Sequence, residues 1–145
     1  MTPEQLRLDN QVCHSLYSTA NALVRAYRPL LEPLGLTYPQ YLVMLSLWER
    51  DGVSVTELAS HTRLDKATLT SLLKRMAAKG LLTRESSDED ERRKRISLTA
   101  QGRRLRRRAE GVPAALAEST GMSVEEAVAL KSLCETLHRC LTGGD

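Results

Sequence analysis

Phenylalanine is absent from the 145 residues, and aromatic side chains make up only 3% of them. The five that occur, Tyr17, Tyr27, Tyr38, Tyr41 and Trp48, all fall in the first third, so any chemistry that needs a phenol is confined there. Cysteine is scarce as well. Cys13, Cys134 and Cys140 form no CxxC pair, and their odd number argues against a disulfide scaffold or a zinc ribbon. No segment approaches the roughly 18 uninterrupted apolar residues of a membrane span. The opening Met1-Thr-Pro-Glu-Gln has no basic flank followed by an apolar stretch, so no leader peptide and a cytoplasmic location are expected. Internal repeats and low-complexity tracts are missing too.

What remains is the composition of a globular protein about one domain long, with 41% hydrophobic and 27% charged residues. Its formal net charge of +3 hides an uneven distribution. Residues 74–108 hold 13 Lys and Arg against 5 Asp and Glu, a local +8 that leaves −5 for the remainder. Such a split implies one surface for a polyanion and another for something else.

Apolar residues from Leu6 to Leu31 recur at three- and four-residue steps and predict a long amphipathic helix. Its start is either the capping pattern Thr2-Pro3-Glu4-Gln5 or Asp9, and Pro29, Pro33 and Gly35 end it. Pro39 opens a second helix that Asp51-Gly52 closes. Ser54-Val55-Thr56-Glu57 reads as a capping box for a short helix to about His61, and after the break Thr62-Arg63-Leu64, Asp65 caps a helix over 66–79. Leu69, Leu72, Leu73 and Met76 give that helix one apolar face, and Gly80 stops it. Two strand-like runs follow, Leu81–Glu85 and Arg95–Leu98, around a highly charged tip. Thr99 caps a helix to about Ser119, kinked at Pro113, and Ser123-Val124-Glu125-Glu126 starts a last one ending near Leu141.

In a helix-turn-helix the first helix props the second, whose outer side enters the major groove. With the apolar face of 66–79 turned inward, Lys66, Thr68, Thr70, Ser71, Lys74 and Arg75 lie nearer the opposite side. Alone, this is as readily a solvated helix face. The capped helix before it, the charged hairpin after it and the five arginines within 103–108 favour double-stranded DNA. On the hairpin, either Asp90 buttresses Arg92 as that arginine reaches a narrow minor groove, with Arg95 alongside, or the tip is a solvated charged turn; the first is the expectation. The arginine run itself suits phosphate or solvent equally.

The block from Ser54 to Gly102 contains Leu64-Asp65-Lys66-Ala67-Thr68-Leu69-Thr70, the Asp90-Glu91-Arg92 tip and Leu98-Thr99-Ala100-Gln101-Gly102. It resembles the winged helix-turn-helix of MarR-family regulators. Cys13 and Leu36-Thr37-Tyr38-Pro39-Gln40-Tyr41 are similar to the OhrR branch of organic-hydroperoxide-sensing repressors. The resemblance implies a mostly α fold with a small β-hairpin wing. Residues 1–50 would carry dimerisation and a thiol sensor, 51–98 the DNA-binding region, and 99–145 further dimerisation helices. A homodimeric repressor without a cofactor is implied, on a pseudo-palindromic operator with half-sites about one helical turn, roughly 34–36 Å, apart.

A thiol senses peroxide as the thiolate, which needs hydrogen-bond donors or positive charge and access for the oxidant. Tyr17, at i+4, shares the helical face of Cys13, and Tyr27, at i+14, returns to nearly the same angle. Fourteen helical residues at about 1.5 Å each put Tyr27 roughly 21 Å from Cys13, so the two cannot touch within one straight helix but can meet across a two-fold dimer. By chemistry alone Cys13 is as readily a small packed hydrophobe. The OhrR resemblance implies the sensor, with Tyr27 and Tyr38 supplied by the partner subunit and Tyr17 nearby. Members of that branch that use a second cysteine carry it on the helix after the wing, where residues 99–119 have none. The resolving thiol is therefore Cys134 or Cys140 of the partner, or a small cellular thiol. Cys134 and His138 at i, i+4 are at most half a metal site that His14 and His61 do not complete, so no metal is expected. The competing readings are a non-redox MarR-type regulator answering a small aromatic ligand, a thiol peroxidase using Cys13, and an architectural DNA binder. The DNA-binding block and the lack of another catalytic constellation disfavour an enzyme.

Overall fold

Helix α1 (Val12–Leu31) is the first long element of the computed structural model, which describes residues 1–87 and 90–144, with side chains at 1–86 and 94–144. Two 3-10 turns, Glu4–Leu6 and Leu8–Asn10, precede it, so neither expected helix start is used. Gln11 occupies the N-cap position with its amide turned back onto the carbonyls of Gln5 and Arg7, at 2.9 and 2.8 Å, which leaves the first helical N–H groups without a side-chain cap. The helix also passes through Pro29 rather than ending there. A proline this close to the end removes one amide donor, while the Glu32 N–H still reaches the Arg28 carbonyl and holds the last turn. Gly35, at φ 70°, then turns the chain.

Helix α2 (Tyr38–Glu49) starts from a capping box in which Thr37 and Gln40 satisfy each other's backbone amides. A two-residue strand β1 (Val53–Ser54), too short to leave a sequence pattern, leads into helix α3 (Val55–Thr62), whose cap is the Ser54 hydroxyl accepting from the Glu57 amide at 3.1 Å. Arg63 in the left-handed region, at φ 62°, separates α3 from helix α4 (Lys66–Ala78). Strands β2 (Leu82–Ser87) and β3 (Asp90–Leu98) complete an antiparallel sheet of order β1-β3-β2, with Leu82 opposite Leu98 and Arg84 opposite Ile96. Both strands run into the charged stretch expected to be loop, because backbone pairing needs no apolar side chains once the ribbon projects beyond the core. The register shifts between Glu85 and Ser87.

Leu47 of α2, Leu58 of α3, Leu69, Leu73 and Met76 of α4, and Leu82 and Ile96 of the sheet share one core with Leu31 of α1. Truncating any of these to alanine costs on the order of 2–5 kcal/mol. Helix α5 (Ala100–Ala109) is locked to this core at Gly102. A Cβ there would stand 2.1 Å from the Leu81 carbonyl oxygen, and the Gly102 carbonyl accepts from Trp48 Nε1 at 2.9 Å. Instead of continuing as one kinked helix, the chain breaks after Ala109 and starts helix α6 (Val112–Thr120), with Pro113 in the first turn, where its missing N–H leaves no bond unmade.

The chain forms two compact units, residues 1–112 and 113–145. In the first, α1 exposes Val12, Leu16, Leu23 and Val24, and only Leu31 is fully buried. In the second, helix α7 (Val124–Thr142) begins with the Ser123–Glu126 capping box and exposes Val124, Val128, Leu130, Leu133 and Leu141. Among the described residues no helix is long and apolar enough to cross a membrane.

Candidate nucleic-acid interface and thiol site

Asp65 sets the N-terminus of α4 by accepting the Thr68 amide at 2.8 Å and the Thr68 hydroxyl at 2.7 Å, and these bonds hold its carboxyl below the usual range. The Thr70 hydroxyl donates to the Lys66 carbonyl at 2.8 Å. Both threonines therefore spend their protons within the helix and offer oxygen lone pairs outward, whereas Ser71, Lys74 and Arg75 are exposed. At 100° per residue, Ser71 and Lys74 lie opposite the buried leucines, with Lys66 and Thr70 on one flank and Thr68 and Arg75 on the other.

The Lys66–Thr70 flank borders a groove of about 280 Å³ lined also by Thr56 of α3 and by Arg84 and Lys94 of the sheet. Strand alternation accounts for these two cations. Arg84 follows Leu82 on one strand face and Lys94 precedes Ile96 on the other, so the face that is apolar inside the core turns cationic where it leaves the core beside α4. Sequence reasoning missed both residues; alternation from Leu82 pointed to Arg84, whereas Lys94 lay outside the expected strand and is placed only by the longer β3. Arg95 points to the opposite face and donates through Nε to the Gly52 carbonyl at 3.0 Å, bracing β1. The expected Asp90–Arg92 side-chain pairing lies outside the described residues.

The arginine run divides. Arg103 donates to the Leu98 carbonyl at 3.0 Å and approaches Asp51 at 4.0 Å, while Arg108 donates to the Pro33 carbonyl at 2.7 Å. These two staple α5 to its neighbours; Arg104, Arg106 and Arg107 make no hydrogen bond or ion pair among the described residues.

Cys13 is the second residue of α1, exposed, with its thiol free. It lies in the turn whose N–H groups are uncapped, where the helix dipole favours an anion. At the far end of the same helix, Tyr27 packs against Tyr38 and Tyr41 of α2, with ring centroids 4.7 and 5.7 Å away. Burial pushes the Tyr27 phenol up to about 12, reinforced by Tyr38 and then Tyr41, and burial also raises Tyr38 and Tyr41. All three phenols thus stay protonated and able to donate at neutral pH. Two of them were expected at the site. Tyr41, which was not among the expected thiol-site tyrosines, is the third member of the cluster and fills the core side of it. Tyr17 is exposed on the Cys13 side of α1 and takes no part in the ring cluster.

Cys134 is half-buried and Cys140 exposed, both on α7 and both free thiols. His138 Nδ1 is buried without a hydrogen-bond partner among the described residues. Among the described residues no three His, Cys, Asp or Glu side chains are placed to hold a metal. His61 bridges helices, with Nδ1 2.6 Å from the buried Ser46 hydroxyl and Nε2 3.7 Å from Glu49.

Residues 36–94 match the model of the MarR family. The chain is also 41% identical over 140 residues to the organic hydroperoxide resistance transcriptional regulator of Bacillus subtilis, covering 94% of this chain and 95% of that one. The chain belongs to the MarR family. Its fold is that of the MarR-type winged helix, and as a member of the family it is a DNA-binding transcriptional regulator. It is similar to reduced AbfR bound to DNA, at 34% identity and TM-score 0.79 over 99% of this chain and 98% of that one; AbfR of Staphylococcus epidermidis has also been seen with a disulfide formed. BpsR of Bordetella bronchiseptica, whose DNA binding is regulated by 6-hydroxynicotinic acid, is 25% identical, with TM-score 0.81 over 93% of this chain and 99% of that one. In this MarR-family chain the matched segment runs from the loop before α2 to the cationic groove, ending at Lys94.

Proposed function

We propose that this regulator is a homodimeric repressor that holds a pseudo-palindromic operator while Cys13 is reduced and releases it when an organic hydroperoxide oxidises that thiol. The observation that carries the reading is the placement of an exposed cysteine at one end of α1 and a cluster of protonated tyrosines at the other. One chain cannot close that gap of about 21 Å, whereas a two-fold partner running antiparallel presents Tyr27 and Tyr38 to the thiol. The exposed apolar residues of α1 and of α7 supply surface for such a dimer. Likeness to the Bacillus regulator and to AbfR supports the same reading.

The Cys13 thiolate, stabilised by the N-terminal amides of α1 and the partner's phenols, attacks the terminal peroxide oxygen. The O–O bond breaks, the alkoxide takes a proton and leaves as an alcohol, and sulfur, oxidised by two electrons, becomes a sulfenic acid. A small cellular thiol then displaces water to form a mixed disulfide; Cys134 or Cys140 of the partner subunit is the competing resolver. Either product removes the anion to which the tyrosines donate.

The signal has a short route to the reading helix. Lys79, at the C-terminus of α4, donates to the Gly35 carbonyl at 2.7 Å and to Gln40 Oε1 at 3.0 Å. Gln40 is the buried capping partner of the turn that carries Tyr38, so a shift of that turn bears directly on α4. On the DNA side, Lys66, Lys74, Arg75, Arg84 and Lys94 contact phosphate, Thr68, Thr70 and Ser71 approach base edges, and Arg92 with Asp90 forms the wing contact. Operator affinity measured before and after an organic hydroperoxide, with Cys13→Ser in parallel, tests the reading. Release is expected in the native protein only; release that persists in the variant transfers the function to a non-redox effector such as a small aromatic ligand.

A further inference from the structure

The chain has a second concentration of positive charge that the operator face does not use. Arg104, Arg106 and Arg107 project from α5 without hydrogen bonds or ion pairs among the described residues, and with Arg103, Arg108 and Glu110 they line a shallow concavity of about 480 Å³. Two internal rulers place it away from the operator. Helix α4 runs 13 residues from its capped N-terminus to Ala78, two residues before Gly80, where Thr99 Oγ1 donates to the Gly80 carbonyl at 2.6 Å and starts α5. At about 1.5 Å per residue that is roughly 20 Å. The nine residues of β3 lead from the outer end of the hairpin to the same point, roughly 30 Å at about 3.3 Å per residue. Helix α5 therefore begins at the far end of α4 and runs on to Pro33, where Arg108 is held, so its arginines lie away from the α4–wing face proposed above as the operator seat.

We infer that Arg104, Arg106 and Arg107 form a second, sequence-independent anion surface that takes the phosphate backbone of another DNA duplex while the operator is held. Three features favour phosphate over an acidic protein segment. All the cations are arginine, whose planar fork matches phosphate oxygens two at a time. Arg103 and Arg108 are immobilised on backbone carbonyls, so the helix presenting the free three is fixed in place. Among the described residues the patch offers no exposed apolar anchor of the kind that protein interfaces bury at their centre. Among the described residues lining it, Glu110 is the one carboxylate. The inference rests on the α4–wing face being the operator seat, which substitution of Lys94 tests separately.

The experiment loads the full-length protein onto an immobilised operator duplex, selected by the protein from a random library, and adds a labelled duplex of unrelated sequence. The native protein is expected to capture the second duplex with a Kd in the range of about 10⁻⁶ to 10⁻⁴ M at physiological salt. R104Q/R106Q/R107Q is expected to lose that capture roughly ten-fold or more and to flatten its dependence on log salt by about 3 per protomer, with operator affinity held within about two-fold. Arg→Lys at the same three positions keeps the charge and retains part of the capture. Three results overturn the inference: an operator-bound native protein that captures nothing, a glutamine variant that captures equally well, or a polyglutamate peptide that displaces the second duplex at equal charge.

Discussion

If Cys13 of one protomer is held by Tyr27 of the other, complementation between two damaged chains follows. In a Tyr27→Phe homodimer each thiolate loses one phenol donor. A hydrogen bond to a charged acceptor is worth about 1.5–3 kcal/mol, so its loss disfavours the thiolate relative to the thiol by roughly ten- to a hundred-fold and moves the alkylation midpoint to higher pH. The sign follows from the donor's state: burial holds the Tyr27 phenol near 12, so it remains protonated throughout the titration of the thiol and stabilises only the anion. The assay is the pH profile of Cys13 alkylation in a background with Cys134 and Cys140 replaced by serine; the midpoint is the readout because intrinsic nucleophilicity changes with pKa. Mixed dimers of Tyr27→Phe with Cys13→Ser then decide the geometry. Their single thiol sits on the Tyr27→Phe chain but faces an intact Tyr27 of the partner subunit, so its midpoint returns to the native value. Within one chain the distance is roughly 21 Å, several times a hydrogen-bond length of about 3 Å. A mixed dimer that keeps the raised midpoint, or a Tyr27→Phe homodimer with an unshifted one, refutes the composite site.

Two further substitutions probe the scaffold and the DNA face. Gly102→Ala forces a Cβ to 2.1 Å from the Leu81 carbonyl oxygen, where backbone must move and the Trp48 hydrogen bond is strained; a loss of about 2–4 kcal/mol, or roughly 5–15 °C in Tm, is expected in thermal unfolding, and a change within error removes the claimed close contact. Arg84→Ala or Lys94→Ala should weaken binding to all sequences alike and lower the salt slope of operator binding by about 1 per protomer, whereas a change in sequence preference would place these residues against bases instead.

Much of the reading head was legible because helix caps and apolar spacing are local. Asp65 and the stripe Leu69, Leu72, Leu73 and Met76 specify both the start and the inner face of α4. The start of α1 was not legible, since Gln11 spends its amide on carbonyls of the preceding turns, and choosing among Thr2, Asp9 and Gln11 depends on how those turns fold. The wing was underestimated because its outer half is held by backbone pairing, which leaves no apolar signature. Arg95 shows the same limit at a site: its bond to the Gly52 carbonyl, across the pleat from Arg84 and Lys94, is a long-range contact that the sequence does not announce.

By itself, the sequence determined the helix-turn-helix and the hairpin after it, the separation of a basic segment from one bearing tyrosines and a cysteine, and the 14-residue interval that keeps Cys13 from Tyr27. Intervals along a helix are physical distances, so these conclusions needed no coordinates. Only the tertiary structure decided which cations work together. Arg84 and Lys94 join Lys66 at one groove, Arg103 and Arg108 are spent on carbonyls, and Arg104, Arg106 and Arg107 are left without a partner among the described residues. The charge on an arginine is written in the sequence, but its available partners are set by residues distant along the chain that folding brings within hydrogen-bond reach.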